Sequence, residues 1–311
     1  MKNRVFVLGA GAIGLALAVH LKLDGRDTVL VRTSIDDFEE EMIPISLITL
    51  EDRLINVNVR TVSLERLEHL DGIIVITAKS YANETIATKL GKKTKQSPIV
   101  VMQNGLGVEQ PFIDAGYAEI YRCILFVTSQ MNGEYQIRYR PITTSLIGVI
   151  KGSEQSLLKI VEVLNTPGFP FSTENNIQEK IWQKAILNSV FNSICPLLEV
   201  DNGIFHRNDE VTQIALEIME ECIEVAAGIG IKLDIEQLKQ QMLTISKRAD
   251  GQYISTLQDI LNGRQTEIDS MNMEIARIAE EQTPRVNVDK TRLLGELILL
   301  KSKILRKTKG V

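Results

Sequence analysis

With 311 residues the chain is long enough for a sizeable core and for two domains. Apolar residues make up 44% and charged residues 24%, which excludes a disordered chain. A net charge of −5 excludes a broad positive field for nucleic acid or anionic lipid, and three scattered cysteines (Cys123, Cys195, Cys222) argue against a disulfide framework or structural metal.

The opening residues Met1-Lys-Asn-Arg run straight into an apolar strand, so no signal peptide is read. No window nears the roughly 18 uninterrupted apolar residues of a membrane helix, and a cytoplasmic location is expected. Residues 5–8, 28–31, 73–77, 99–102 and 124–128 are short, apolar and largely β-branched, as buried parallel strands are. Amphipathic helical stretches, 13–23 and 81–90, lie between them. Residues 135–150 read as further strands after a turn at Asn132-Gly133. This alternation predicts an α/β fold with a Rossmann-type parallel sheet over residues 1–174.

After Thr166-Pro-Gly-Phe-Pro the strand signal fades. Helices are predicted over 177–197, 208–230, 234–248, 266–282 and 287–306, making residues 175–311 an all-α domain. The long C-terminal helices offer a surface for a homodimer. The basic clusters from Lys89 to Lys95 and from Lys301 to Lys309 read as solvated surface.

Gly9-Ala10-Gly11-Ala12-Ile13-Gly14 follows the first strand and opens the first helix. In that setting Gly9 permits the tight turn, Gly11 close approach of backbone to a pyrophosphate, and Gly14 close helix–strand packing. The free N–H groups and positive dipole end of the helix then face the phosphates. At the end of the second strand a carboxylate would bind a ribose 2′-hydroxyl, but Val31-Arg32-Thr33-Ser34 stands there. An arginine beside two hydroxyls suits a 2′-phosphate, so NADPH is the expected cofactor. The competing reading has Arg32 on the surface and Asp36 or Asp37 turned back to the ribose. Lys79 and Asn104 each follow the carboxyl end of a strand, the edge where open sheets bind ligands, although a solvated loop explains either equally well.

On the helix at 177–197, Lys184, Asn188 and Asn192 recur every fourth residue and share one face, with Ser189 and Ser193 beside them. Nearly every other position is apolar, and burying this column needs partners. A ligand cleft supplies them; an internal ladder to a neighbouring helix is the alternative. Further on, Ser255 and Glu267 flank a break at Asn262-Gly263, and Thr266 with Asp269 forms a capping-box pattern that gives Glu267 a capping role.

Together these pieces resemble the ketopantoate reductase (2-dehydropantoate 2-reductase) family. The matching residues are the glycine motif, Lys79, Gln103-Asn104-Gly105, Trp182 with Lys184, Asn188 and Asn192, and Asp201-Asn202-Gly203. Ser255-x-Leu257-Gln258-Asp259-Ile260 and Gly263-Arg264-x-Thr266-Glu267-Ile268-Asp269 complete the set. The resemblance implies NADPH-dependent reduction of ketopantoate to pantoate, on the way to pantothenate and coenzyme A. It implies Lys184 as general acid, and Lys79 and Asn104 near nicotinamide and substrate. Asn188, Asn192 and Ser255 then contact substrate, and Glu267 is the carboxylate that closes the site, which displaces its capping-only role. Three segments depart from the family pattern: Ser270-Met-Asn-Met273, Thr283-Pro284-Arg-Val-Asn287, and Ser129-Gln130-Met131 where a histidine is common. They bear on substrate identity, and a reductase of another branched 2-oxo acid is the alternative. A non-catalytic NADPH-binding regulator is a third reading, with no use for the polar column.

Overall fold

The computed structural model describes residues 4–49, 51–94 and 96–308. Residues 1–3, on which the absence of a leader was read, and Lys95 and Lys309 of the basic clusters lie outside them.

The chain begins with β1 (Arg4–Leu8), α1 (Ala12–Leu23) and β2 (Asp27–Arg32), then an antiparallel pair, β3 (Glu41–Ile48) and β4 (Leu54–Ser63). β5 (Ile73–Ile76), a 3-10 turn at Ser80–Ala82, α2 (Asn83–Leu90), β6 (Ile99–Val101), α3 (Gln110–Asp114) and β7 (Ile120–Ile124) follow. β8 (Val127–Met131), β9 (Gln136–Pro141), β10 (Ser145–Lys151), α4 (Glu154–Leu164) and β11 (Phe171–Thr173) complete the strand-bearing part. All later elements are helical: α5 (Ile177–Leu198), α6 (Ile204–Arg207), α7 (Asp209–Gly228), α8 (Ile235–Arg248) and α9 (Ser255–Leu261). A 3-10 turn at Ile268–Ser270, α10 (Asn272–Glu281) and α11 (Asp289–Thr308) close the chain.

The strands form one sheet in the order β11-β10-β7-β6-β5-β1-β2-β4-β3-β9-β8. From β7 to β4 every neighbour is parallel. The chain builds outward from β1 through β2 and β4, then returns to the other side of β1 for β5, β6 and β7. The switch point therefore lies between β1 and β5, where open sheets bind ligands. Successive side chains face opposite layers. Val5 and Val7 pack with α1 and α4, while Phe6 and Leu8 pack with α2 and α3. Covering both faces is what makes these strands read as unbroken apolar runs.

Two expected elements differ. The strand predicted at 124–128 is the junction between β7 and β8, because the chain changes partner there: Ile124 pairs with β10 and Val127 with β9. The Phe126 carbonyl accepts from the N–H of Ile142, and its own N–H donates to Ser145 Oγ, which holds the corner. The helix predicted from 266 begins at Asn272 instead, after the 3-10 turn. The other predicted helices of the second half are present, with side-chain caps from Asn208 on α7 and Asp234 on α8.

The contacts divide the chain into two compact units. One holds the residues up to Gln103 together with Val108–Ile177; the other holds Asn104–Gly107 together with Gln178 onward. Among the described residues no helix is long and apolar enough to cross a membrane.

Candidate functional site

In the strand-bearing unit the glycine turn lies across the switch point. The Leu8 carbonyl accepts from the N–H groups of Thr77 (2.8 Å) and Ala78 (2.9 Å), and Thr77 Oγ1 donates to the Gly9 carbonyl (2.9 Å). Gly9 has φ +122°, and a Cβ there would stand 2.4 Å from the Ala78 nitrogen. A Cβ on Gly14 would lie 1.9 Å from the Gly9 oxygen, so helix and turn meet only because both residues lack side chains. Gly11 is different. It is exposed with φ −81°, and a Cβ on it would meet no protein atom within 4 Å. The space above Gly11 is open, α1 begins there with no side-chain cap, and its first turn carries no acid. A helix start with unclaimed N–H groups and room for close approach fits a phosphate; Ala10, Ala12 and Ile13 complete the turn.

Arg32 ends β2 half-buried. Its guanidinium donates to Tyr135 Oη at 2.7 Å and lies 5.1 Å over the Phe38 ring. The two acids that competed for the ribose are engaged elsewhere: Asp36 pairs with Lys89 at 2.7 Å and Asp37 with Arg66 at 2.5 Å.

Beyond β5 and β6 a buried amide pair joins the two loops. Asn83 Nδ2 donates to Gln103 Oε1 and Gln103 Nε2 to Asn83 Oδ1, each at 2.7 Å, and Gln103 Nε2 also reaches the Ala78 carbonyl at 2.6 Å. Arg122, paired with Glu109 at 2.5 Å, donates to the Gln103 carbonyl at 3.3 Å. Ala78 and Gln103 immediately precede Lys79 and Asn104, both half-buried, so this network fixes the backbone from which the two side chains project. Neither Asn83 nor Arg122 was visible as a site-building residue, because only the fold brings them to Gln103.

In the helical unit the polar column of α5 divides. Asn192 is 1% exposed: its Nδ2 donates to the Asn188 carbonyl (2.9 Å), and its Oδ1 accepts from Ser255 Oγ (3.3 Å) and the Thr256 N–H (3.4 Å). Ser189 and Ser193 donate to carbonyls of their own helix. Asn192 is thus tied to the start of α9, while the two serines bond within α5. Lys184 and Asn188 stay half-buried on the same face, on a helix whose Trp182, Ile186 and Val190 are buried.

Glu267 does not cap a helix. It precedes the 3-10 turn with no side-chain cap bond, while its carbonyl accepts from the N–H (3.1 Å) and Oγ (3.0 Å) of Ser270. Ser270 in turn receives the Leu106 N–H at 2.8 Å, and a Cβ on Gly105 would lie 2.4 Å from the Ser270 oxygen. Asn104–Gly107 thus rests on the turn that Glu267 opens.

The ketopantoate reductase PanE/ApbA model matches residues 5–152, and the model of that family's C-terminal part matches residues 176–298. The chain belongs to the ketopantoate reductase family. It is similar to a 2-dehydropantoate 2-reductase of Pyrococcus abyssi, 29% identical over 281 residues, 89% of this chain and 91% of the relative. Two solved structures share the fold at lower identity. D-mandelate dehydrogenase with NADH and anilino(oxo)acetate superposes with TM-score 0.84 at 22% identity, covering 97% of this chain and 99% of that one. A dimeric ketopantoate reductase from Staphylococcus aureus gives 0.82 at 18%, with the same coverages.

As a member of the ketopantoate reductase family the chain is a nicotinamide-dependent oxidoreductase. Not every family motif is chemical. Asp201 Oδ1 accepts from the N–H groups of Gly203 (2.7 Å) and Gly251 (3.1 Å), and Arg207 grips the same carboxylate. The Arg207 guanidinium, ahead of these amides, pulls the Asp201 carboxyl down to about 2. That motif anchors the α5–α6 corner. Among the described residues no group of three or more His, Cys, Asp or Glu side chains could hold a metal ion.

Proposed function

We propose that this oxidoreductase reduces ketopantoate to pantoate with NADPH, serving pantothenate and coenzyme A synthesis in the cytoplasm. The observation that carries the reading is the half-buried Lys184, one turn before Asn188, on an otherwise apolar helix of a chain in this family. A cation held there suits a substrate that arrives as a carboxylate and passes through an alkoxide.

Residues 1–174 are assigned to the cofactor and 175–311 to the substrate. The turn from Gly9 to Gly14 receives the pyrophosphate, and Arg32 the 2′-phosphate; its position and the ion pairs of Asp36 and Asp37 support NADPH over NADH. The bound cofactor supplies a hydride to the keto carbon. Lys184 stabilises the oxyanion that results and gives it a proton, completing the alcohol. Lys79 and Asn104 orient nicotinamide and keto group, Asn188 and Ser255 hold the substrate's polar ends, and Glu267 closes the site. Asn192 serves by holding Ser255 at the start of α9, with the substrate-facing work falling to its neighbours.

A second reading is reduction of another branched 2-oxo acid. The D-mandelate dehydrogenase neighbour fits it, as does Ser129, whose hydroxyl bonds the Ala12 carbonyl where the family often has histidine. A homodimer is proposed by likeness to the dimeric relative. Ketopantoate-dependent oxidation of NADPH by the purified chain tests the main reading; NADPH binding without turnover of any 2-oxo acid contradicts it and favours a regulator.

A further inference from the structure

The hairpin of β8 and β9 touches the cofactor side of the sheet at two places, and nothing in the sequence pattern announced either. Ser129 Oγ on β8 donates to the Ala12 carbonyl at 2.9 Å, beside the glycine turn. At the hairpin's other limb, Tyr135 Oη receives the Arg32 guanidinium at 2.7 Å across 103 residues of sequence. Tyr135 is itself pinned: its carbonyl accepts the Ser46 N–H at 2.9 Å, just before β9 pairs with β3 from Ser46 and Gln136.

We propose that Tyr135 is a positioning residue for cofactor choice, its hydroxyl holding Arg32 as the receptor for a phosphate on the adenosine ribose. The inference rests on the NADPH reading above. Arg32 is fixed from two sides, by the Tyr135 hydroxyl and by the Phe38 ring under its plane. Both partners are uncharged. A carboxylate in the place of Tyr135 would orient the guanidinium equally well but would cancel the charge that a phosphate needs. Of the neighbouring acids, Asp36 and Asp37 are held by Lys89 and Arg66, and Glu134 adjoins Tyr135 in the chain. The phenol oxygen accepts from Arg32, which leaves its one hydrogen to give elsewhere. A guanidinium carries five N–H groups, and the bond to Tyr135 uses one of them. Without the hydroxyl the group keeps its charge but loses its fixed direction, which penalises a bidentate ligand and leaves a hydroxyl-bearing ribose indifferent.

The test is calorimetric titration of the full chain with 2′,5′-ADP and with 5′-AMP, fragments that differ only by the phosphate in question, for the wild type, Tyr135→Phe and Arg32→Ala. The proposal expects the wild type to prefer 2′,5′-ADP, and Tyr135→Phe to weaken that ligand by about tenfold while 5′-AMP changes less than about twofold. A merely structural role would weaken both alike, and that result overturns the proposal. Loss of the preference in Arg32→Ala with an unchanged Tyr135→Phe overturns it too, and leaves the NADPH reading standing. Equal binding of the two fragments by the wild type, with Arg32→Ala neutral, overturns both.

Discussion

Gly14 lies directly beneath the carbonyl oxygen of Gly9, where a methyl group would come within 1.9 Å of it and 2.6 Å of Thr77 Oγ1. Gly11, three residues earlier, faces open space. The two glycines therefore predict opposite behaviour. Gly14→Ala forces the turn off α1 and should lower stability by roughly 1–3 kcal/mol, read by chemical denaturation. Gly11→Ala should leave the denaturation midpoint within experimental scatter while weakening NADPH binding at least about tenfold, because only a ligand uses that space. Equal loss of stability in both variants would contradict the assignment of Gly11 to the cofactor.

The paired amides of Asn83 and Gln103, 1% and 6% exposed, form the second point of control. Gln103→Leu takes the Gln103 donor from Asn83 Oδ1 and from the Ala78 carbonyl, while Asn83 Nδ2 keeps the Val108 carbonyl at 2.7 Å. Denaturation should show a loss of about 1–3 kcal/mol. Replacing both residues by leucine should cost less than the sum of the single changes, since neither partner is then left unpaired. Additive losses would mean that the pair is not the coupled unit the geometry describes.

In the proposed function Lys184 carries the proton-transfer role. Lys184→Ala should reduce kcat by roughly 10²- to 10⁴-fold while the dissociation constant for NADPH, read by fluorescence titration, stays close to wild type. Near-normal turnover would remove the residue from the mechanism.

His20 gives the fold an acid limit. It sits on α1 with its ring 4.9 Å from Tyr139 and 6.2 Å from Phe169, and burial pushes its pKa down to about 4 from 6.5. The folded chain therefore keeps the ring neutral where the unfolded chain binds a proton. The His20 contribution to stability is flat above pH 6.5, falls as pH drops from 6.5 towards 4, and levels off below, a loss of roughly 3–3.5 kcal/mol. His20→Phe should flatten that part of the curve of Tm against pH. An unchanged slope would place the acid limit elsewhere.

What the sequence showed and what it hid follow from how local each signal is. β1, β2, β5 and β6 are covered on both faces, so their apolar runs were plain. β3 and β4 were missed because exposed and buried positions alternate through Pro44, Asn56 and Asn58. The polar column of α5 was legible from its spacing alone, but not its division into Lys184 and Asn188 on one side and the tied Asn192 on the other. That division depends on Ser255 and Thr256, more than 60 residues away. The bond from Arg32 to Tyr135 spans 103 residues, and a single sequence carries no periodicity that links them.

The central claim is tested most directly by kcat/KM for ketopantoate and for benzoylformate, the keto acid corresponding to mandelate, each with NADPH and with NADH. The account predicts the highest value for ketopantoate with NADPH, by at least about tenfold over each other pairing. A higher value for benzoylformate, or for either acid with NADH, would contradict it.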